Sequence, residues 1–196
     1  MRTETAPLGY AVDTDAKCTP AVLARLKAGR YEGQTLGGIG RYVSLGQPQS
    51  GDIDRAELEA ITGEGFGSWF FQHVRGRPWT PSLRLGQIDG AWAARNALVA
   101  GYEPGTHGGI DLENVAPDSA HSAIVDYVEA RAEAHTTLGG YPSVLYVGFN
   151  SWLSSEELWQ LANIHLYMKD WGEHTALYRG LPCRRSRGTS RSTGFW

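Results

Sequence analysis

Cysteine is scarce in this chain. Cys18 and Cys183 are its only two thiols in 196 residues, and their separation matches neither a zinc-ligand spacing nor a disulfide framework. Both read as free thiols, and no metal or cofactor is expected. No apolar run is long enough to cross a membrane, and Met1 to Pro7 lacks the apolar stretch of an ordinary secretory signal. Positive charge is not in excess either: the net charge is −3, whereas nucleic-acid phosphates demand a dense basic surface. Nucleic acid is therefore excluded as a partner. Aromatics, by contrast, are plentiful, with seven tryptophans and nine tyrosines, and such faces either fill cores or stack on sugars and bases. The length suits one domain with a sizeable core.

Apolar strand-like runs alternate with amphipathic stretches, the pattern of a parallel sheet wrapped by helices. Strands are expected at Leu8–Asp13, Ile39–Leu45, Gly67–Val74, around Ile110–Glu113, Ser143–Asn150 and His165–Asp170. Between them, Thr19-Pro20 opens a helix that ends near Gly29, and a second helix begins near Asp54 and stops at Gly63 and Gly65. Gln87–Ala100 has Ile88, Trp92, Ala93, Leu98 and Val99 at helical spacings. A long helix from Asp118 to about Leu138 places Ile124, Val125, Val128 and Ala132 on one side. Ser154 and Glu157 form a capping box. The glycine-rich Gly37–Gly40 precedes a strand instead of a helix, so it lacks the amide cradle of a phosphate site; Gly108-Gly109 fails in the same way.

The polar residues cluster at strand ends. Asp13 closes the first strand, Gln72 and His73 the third, Asp111 and Glu113 the fourth, Asn150 the fifth, and Asp170 the sixth, before Trp171. Parallel β/α proteins place their chemistry at the carboxyl ends of strands. Within Gly109-Ile110-Asp111-Leu112-Glu113, residues two apart share one strand face, so both acids point the same way with Cα atoms roughly 6.6 Å apart. Acids so placed repel, and desolvation raises at least one pKa, leaving one carboxyl protonated beside an ionised neighbour. Glycoside hydrolysis uses that division of labour. Taken singly, Asp111 or Glu113 could instead cap a helix or pair with an arginine, Asp13 could bond its turn, His73 could be a satisfied half-buried ring, and Asn150 could shape a loop.

Gly9-Tyr10-Ala11-Val12-Asp13, Gly40-Arg41-Tyr42-Val43, Arg55–Ala60 with Gly65-Phe66, Ile110–Glu113 and Leu145–Gly148 occur in an order that resembles a known family. It is the glycoside-hydrolase-like domain family of unknown function found in actinobacterial cell-wall-associated proteins and phage lysins, a distant relative of the family-twenty-five muramidases. The resemblance implies a TIM-type β/α barrel with a saccharide cleft at its carboxyl rim, and an extracellular, cell-wall or phage-associated setting. By position it makes Glu113 the proton donor to the glycosidic oxygen, with Asp111 stabilising the oxocarbenium-like centre and Asp13 and Asp170 orienting water or sugar hydroxyls. Tyr42, Tyr146 and Trp171 become candidates for stacking on sugar rings, and Arg41, Gln72, His73 and Asn150 for further substrate contacts.

An eight-step barrel needs about 200 to 250 residues, and little chain follows Asp170. Thr175–Tyr178 could supply a short seventh strand, and no eighth is legible. The expectation is an α/β barrel domain over residues 1–180, incomplete or open at its C-terminal end, and a basic, flexible tail over 181–196. Polysaccharide is the expected partner and hydrolysis the expected reaction. A noncatalytic carbohydrate-binding or virion-structural module that keeps the cleft is the alternative.

Overall fold

The computed structural model describes residues 10–30, 35–76, 78–148 and 151–169. Strands and helices alternate along the chain: β1 (Tyr10–Asp13), α1 (Pro20–Ala28), β2 (Leu36–Val43), α2 (Arg55–Gly63), β3 (Gly67–Gln72), α3 (Leu83–Ala100), β4 (Gly108–Leu112), α4 (His121–Gly139), β5 (Ser143–Val147), α5 (Ser155–Gln160) and β6 (Ile164–Lys169). The six strands pair in chain order, every neighbour parallel. They form an open half-barrel, an incomplete relative of the TIM-type α/β barrel. The seventh strand expected at Thr175–Tyr178 and the basic tail lie outside the described residues.

Local chemistry sets the helix starts. The side chains of Thr19, Asp54, Ser82 and Ser154 each accept a backbone N–H from the first turn of the helix that follows, satisfying donors that have no partner within the helix. Ser154 and Glu157 complete the capping box reciprocally. Helix α4 starts at His121, later than Asp118 suggests, after an Ala120 that offers no side-chain cap.

The outer face of the sheet meets the helices. Ile39, Val43 and Phe70 pack with Leu23, Leu58, Ile61 and Ala97, while Ile110, Leu112, Leu145 and Val147 pack with Ile124, Val128 and Ala132. Strand alternation sends the intervening residues to the concave face, where Phe71, Val144 and Met168 gather with Tyr42, Trp69, Tyr146 and Leu166. The glycines expected not to cradle phosphate have a packing role there. A Cβ at Gly40 would lie 2.6 Å from Trp69 Nε1, and one at Gly109 would lie 1.9 Å from Phe71 Cδ1. Two aromatic rings therefore rest directly on the backbones of β2 and β4.

Helix α3 buries a different face from the one its large apolar residues suggest. Ile88, Leu98 and Val99 are 43, 57 and 60 % exposed, whereas Ala93, Ala94, Ala97 and Asp89 are buried. The cause is the closeness of α4: a Cβ at Gly86 would stand 2.2 Å from the Tyr127 carbonyl oxygen, and one at Gly90 2.6 Å from that of Arg131. Only small residues fit between helices this near.

Candidate functional site

The acidic pair lies where β4 ends. Asp111 is in register with Tyr146 of β5, and Glu113 follows the last strand residue, its side chain laid across Gly148. A Cβ at Gly148 would be 2.1 Å from Glu113 Cγ and 2.2 Å from its Oε1, so the absence of a side chain at Gly148 makes room for the carboxylate. The backbone beyond is held from two sides. Trp79 Nε1 donates to the Glu113 carbonyl at 2.7 Å, and Trp152 Nε1 donates to the Val115 carbonyl at 2.9 Å. Between these anchors Asn114 adopts a left-handed backbone (φ 59°), a conformation asparagine accepts more readily than most residues.

Asp13 and Tyr42 join the pair. The Tyr42 hydroxyl donates to Asp13 Oδ2 at 2.6 Å. Burial pushes the Asp111 carboxyl well above the usual carboxylate range; the charges of Glu113 and Asp13 push the same way, and Arg131 opposes them. Asp111 Oδ1 is sealed from solvent and has no hydrogen-bond partner. Burial likewise raises the Tyr42 phenol, with Asp13, Asp111 and Tyr146 adding to the shift. Asp13, Tyr42, Asp111, Glu113 and Tyr146 thus share one electrostatic neighbourhood at the carboxyl rim. Such a cluster makes one carboxyl, Asp111, hold its proton to higher pH than an ordinary carboxyl does, an arrangement of the kind that acid and base chemistry uses.

A charged network backs β4 from the helix layer. Fully buried Arg131 donates to the Tyr127 hydroxyl at 3.0 Å and reaches the Gly109 carbonyl at 3.5 Å. Tyr127 donates to Asp89 at 2.8 Å, and Asp89 holds Arg75 through two bonds. Arg131 is the cation that moderates Asp111.

The remaining expected residues divide by strand face. His73 stacks on Tyr42 (ring centroids 5.1 Å apart, planes 19° apart), and its Nε2 meets Asp52 Oδ1 at 3.2 Å. Asp52 itself accepts from the backbone and hydroxyl of Ser44 and from the Gln49 backbone. Arg41 and Gln72 are corrections: they were expected on the cleft, and both are sealed on the opposite face. Arg41 is 0 % exposed and is held by Glu57, the Thr14 carbonyl and the Gly51 carbonyl. Gln72 is buried and hydrogen-bonds Tyr127. Each is one residue out of step with an inward neighbour, Tyr42 or His73, and strand periodicity turns a single step into the other face. Asn150, Asp170 and Trp171 lie outside the described residues. Trp79, Trp152, Asp52 and Arg131 escaped the sequence reading; only Asn114, beside the acidic pair, hinted locally at an unusual turn.

The fold and this rim define the class, an open parallel α/β barrel of the glycoside-hydrolase-like kind. The chain belongs to the Rv2525c-like, glycoside hydrolase-like domain family, whose model matches residues 32–190. Its fold is shared with the Mycobacterium tuberculosis Tat-secreted protein Rv2525c, solved in complex with HEPES, at TM-score 0.55 and 15 % identity over 86 % of this chain and 91 % of that one. A muramidase from Trichobolus zukalii matches at TM-score 0.59 and 12 % identity, over 88 % of this chain and 82 % of the muramidase. An uncharacterized B. stearothermophilus protein matches at TM-score 0.54 and 20 % identity over 70 % of this chain, which spans 59 % of that protein's length. No curated protein matches the sequence.

Proposed function

We propose that this chain is a glycoside hydrolase acting on a cell-wall, peptidoglycan-like polysaccharide through carboxylate general acid catalysis. The observation that carries the reading is the electrostatic coupling of Asp111 to both Glu113 and Asp13 at one end of the sheet. Glu113, half-buried and beyond the strand end, reaches toward a glycosidic oxygen as proton donor. Asp111, deeper and resistant to ionisation, holds the proton the pair shares; passing it to Glu113 for delivery to the glycosidic oxygen leaves the Asp111 carboxylate to stabilise the oxocarbenium-like centre, and the attacking water returns a proton to the pair. Asp13, with its Tyr42 partner, orients water or a sugar hydroxyl, while Tyr146 and His73 line the approach. The muramidase that shares the fold favours an amino-sugar polymer as substrate. The Tat-secreted relative favours action outside the cytoplasm.

The test is incubation of the wild type, Glu113→Gln and Asp111→Asn with purified peptidoglycan, followed by an assay of new reducing ends. Loss of the general acid is expected to slow release by about 10²–10⁴-fold, with binding to the polymer retained. Absence of product from the wild type, alongside measurable binding, would replace this reading with that of a noncatalytic carbohydrate-binding module.

A further inference from the structure

Trp152 has no part in the chemistry described above, yet its placement is unusual. Its backbone is left-handed, at φ 61°, a conformation that costs a bulky residue free energy and persists only where surrounding contacts hold it. Despite this cost the side chain stays 41 % exposed, so the strain is not repaid by full burial of the indole. The ring is nevertheless fixed in direction, because Nε1 donates to the Val115 carbonyl at 2.9 Å. Val115 is two residues beyond Glu113, and Trp152 lies on the connection from β5 to α5, so the indole stands at the same rim as the acids. An exposed, oriented aromatic ring at a rim that carries carboxyl groups matches the apolar C–H face of a pyranose, whose hydroxyls remain in water while the face stacks. Trp159, also exposed at 44 %, lies within α5 instead of on the connection that leaves the carboxyl end of β5.

We infer that Trp152 is a sugar-stacking platform, a subsite that seats a pyranose ring of the polysaccharide beside Glu113. The inference rests on the proposed saccharide function and adds a binding residue to it. The hydrogen bond to Val115 orients the ring in advance, so little side-chain freedom is lost when sugar binds.

The experiment is calorimetric titration of the full chain, in a Glu113→Gln background, with a soluble N-acetylglucosamine hexamer. The same proteins are tested for retention on insoluble peptidoglycan. Trp152→Ala is expected to weaken hexamer binding about tenfold, and Trp152→Phe, which keeps an aromatic face and loses only the N–H, to stay within about threefold of the parent. Trp152→Gly, which accepts the left-handed backbone without strain, guards against misfolding and is expected to match the alanine variant. Equal loss in the phenylalanine and alanine variants would overturn the inference, because the bond to Val115 would then be what matters. Unchanged binding in the alanine and glycine variants, or no binding by the parent to either probe, would also overturn it. Reducing-end release by proteins with Glu113 intact separates the two readings. Release unaffected by Trp152→Ala, with unchanged binding, removes the platform and leaves the hydrolase. Binding that depends on Trp152 without any release removes the hydrolase and leaves the platform.

Discussion

At Asp111, burial and two neighbouring carboxylates act in the same direction, and all of them penalise the ionised form. The folded-state pKa therefore lies above the unfolded value of about 3.9. Below that value the group is protonated in both states and costs nothing; as pH rises toward the folded pKa, the unfolded chain releases its proton more readily and stability falls. Asp111→Asn should thus melt higher than the wild type at pH 7, by a margin on the order of 0.5–2 kcal/mol. Thermal unfolding followed by circular dichroism should show the gap closing as pH drops to about 4. Equal melting temperatures at pH 7 would mean that Asp111 ionises without cost. Strongly shifted groups of this kind concentrate at functional sites.

Among the elements, α3 and α4 form the tightest pairing, and its tolerance is set by Gly86 and Gly90. Gly86→Val would drive side-chain atoms into the Tyr127 backbone, with an expected cost of about 1–3 kcal/mol or more. Val99→Lys, on the exposed side of the same helix, should stay within about 0.5 kcal/mol. Urea denaturation of both variants checks the contrast. Comparable losses would place the packing on the wrong face. Helix positions were legible because caps and glycine stops act locally: Thr19, Asp54 and Ser154 each mark a start that the chain adopts. The buried face of α3 was not, because what selects alanine and glycine there is another helix, far along the chain. The strand faces tell a similar story. The common direction of Asp111 and Glu113 follows from their spacing alone, whereas Arg41 and Gln72 required knowing which face is concave. The indole bond from Trp79 spans 34 positions and leaves no trace in any local pattern.

For the molecule as a whole, the buried Arg41–Glu57 ion pair ties the β1 side of the half-barrel. Arg41 and Glu57 meet at 2.7 Å; Arg41 also binds the carbonyls of Thr14 and Gly51, and Glu57 accepts the Cys18 backbone N–H. One guanidinium thereby joins β2, α2 and the connection after β1. Arg41→Met leaves the buried Glu57 carboxylate with only the Cys18 backbone N–H and the more distant Lys17 Nζ at 3.8 Å, and chemical denaturation should register a loss of about 3 kcal/mol. Replacing Glu57 by leucine in the same variant should recover part of that loss, since the pair itself need not outperform apolar packing. The sheet that these ties support was readable as alternation along the chain. How its strands fit side by side depends on side-chain contacts between neighbouring strands, which alternation does not record.

One such contact reaches further. Because the Trp69 indole lies against bare backbone at Gly38 and Gly40, the three positions cannot drift separately through evolution. A methyl group gained on β2 is tolerable only if the ring on β3 shrinks in the same lineage, so descendants of this chain should inherit the trio as a block or exchange it as one.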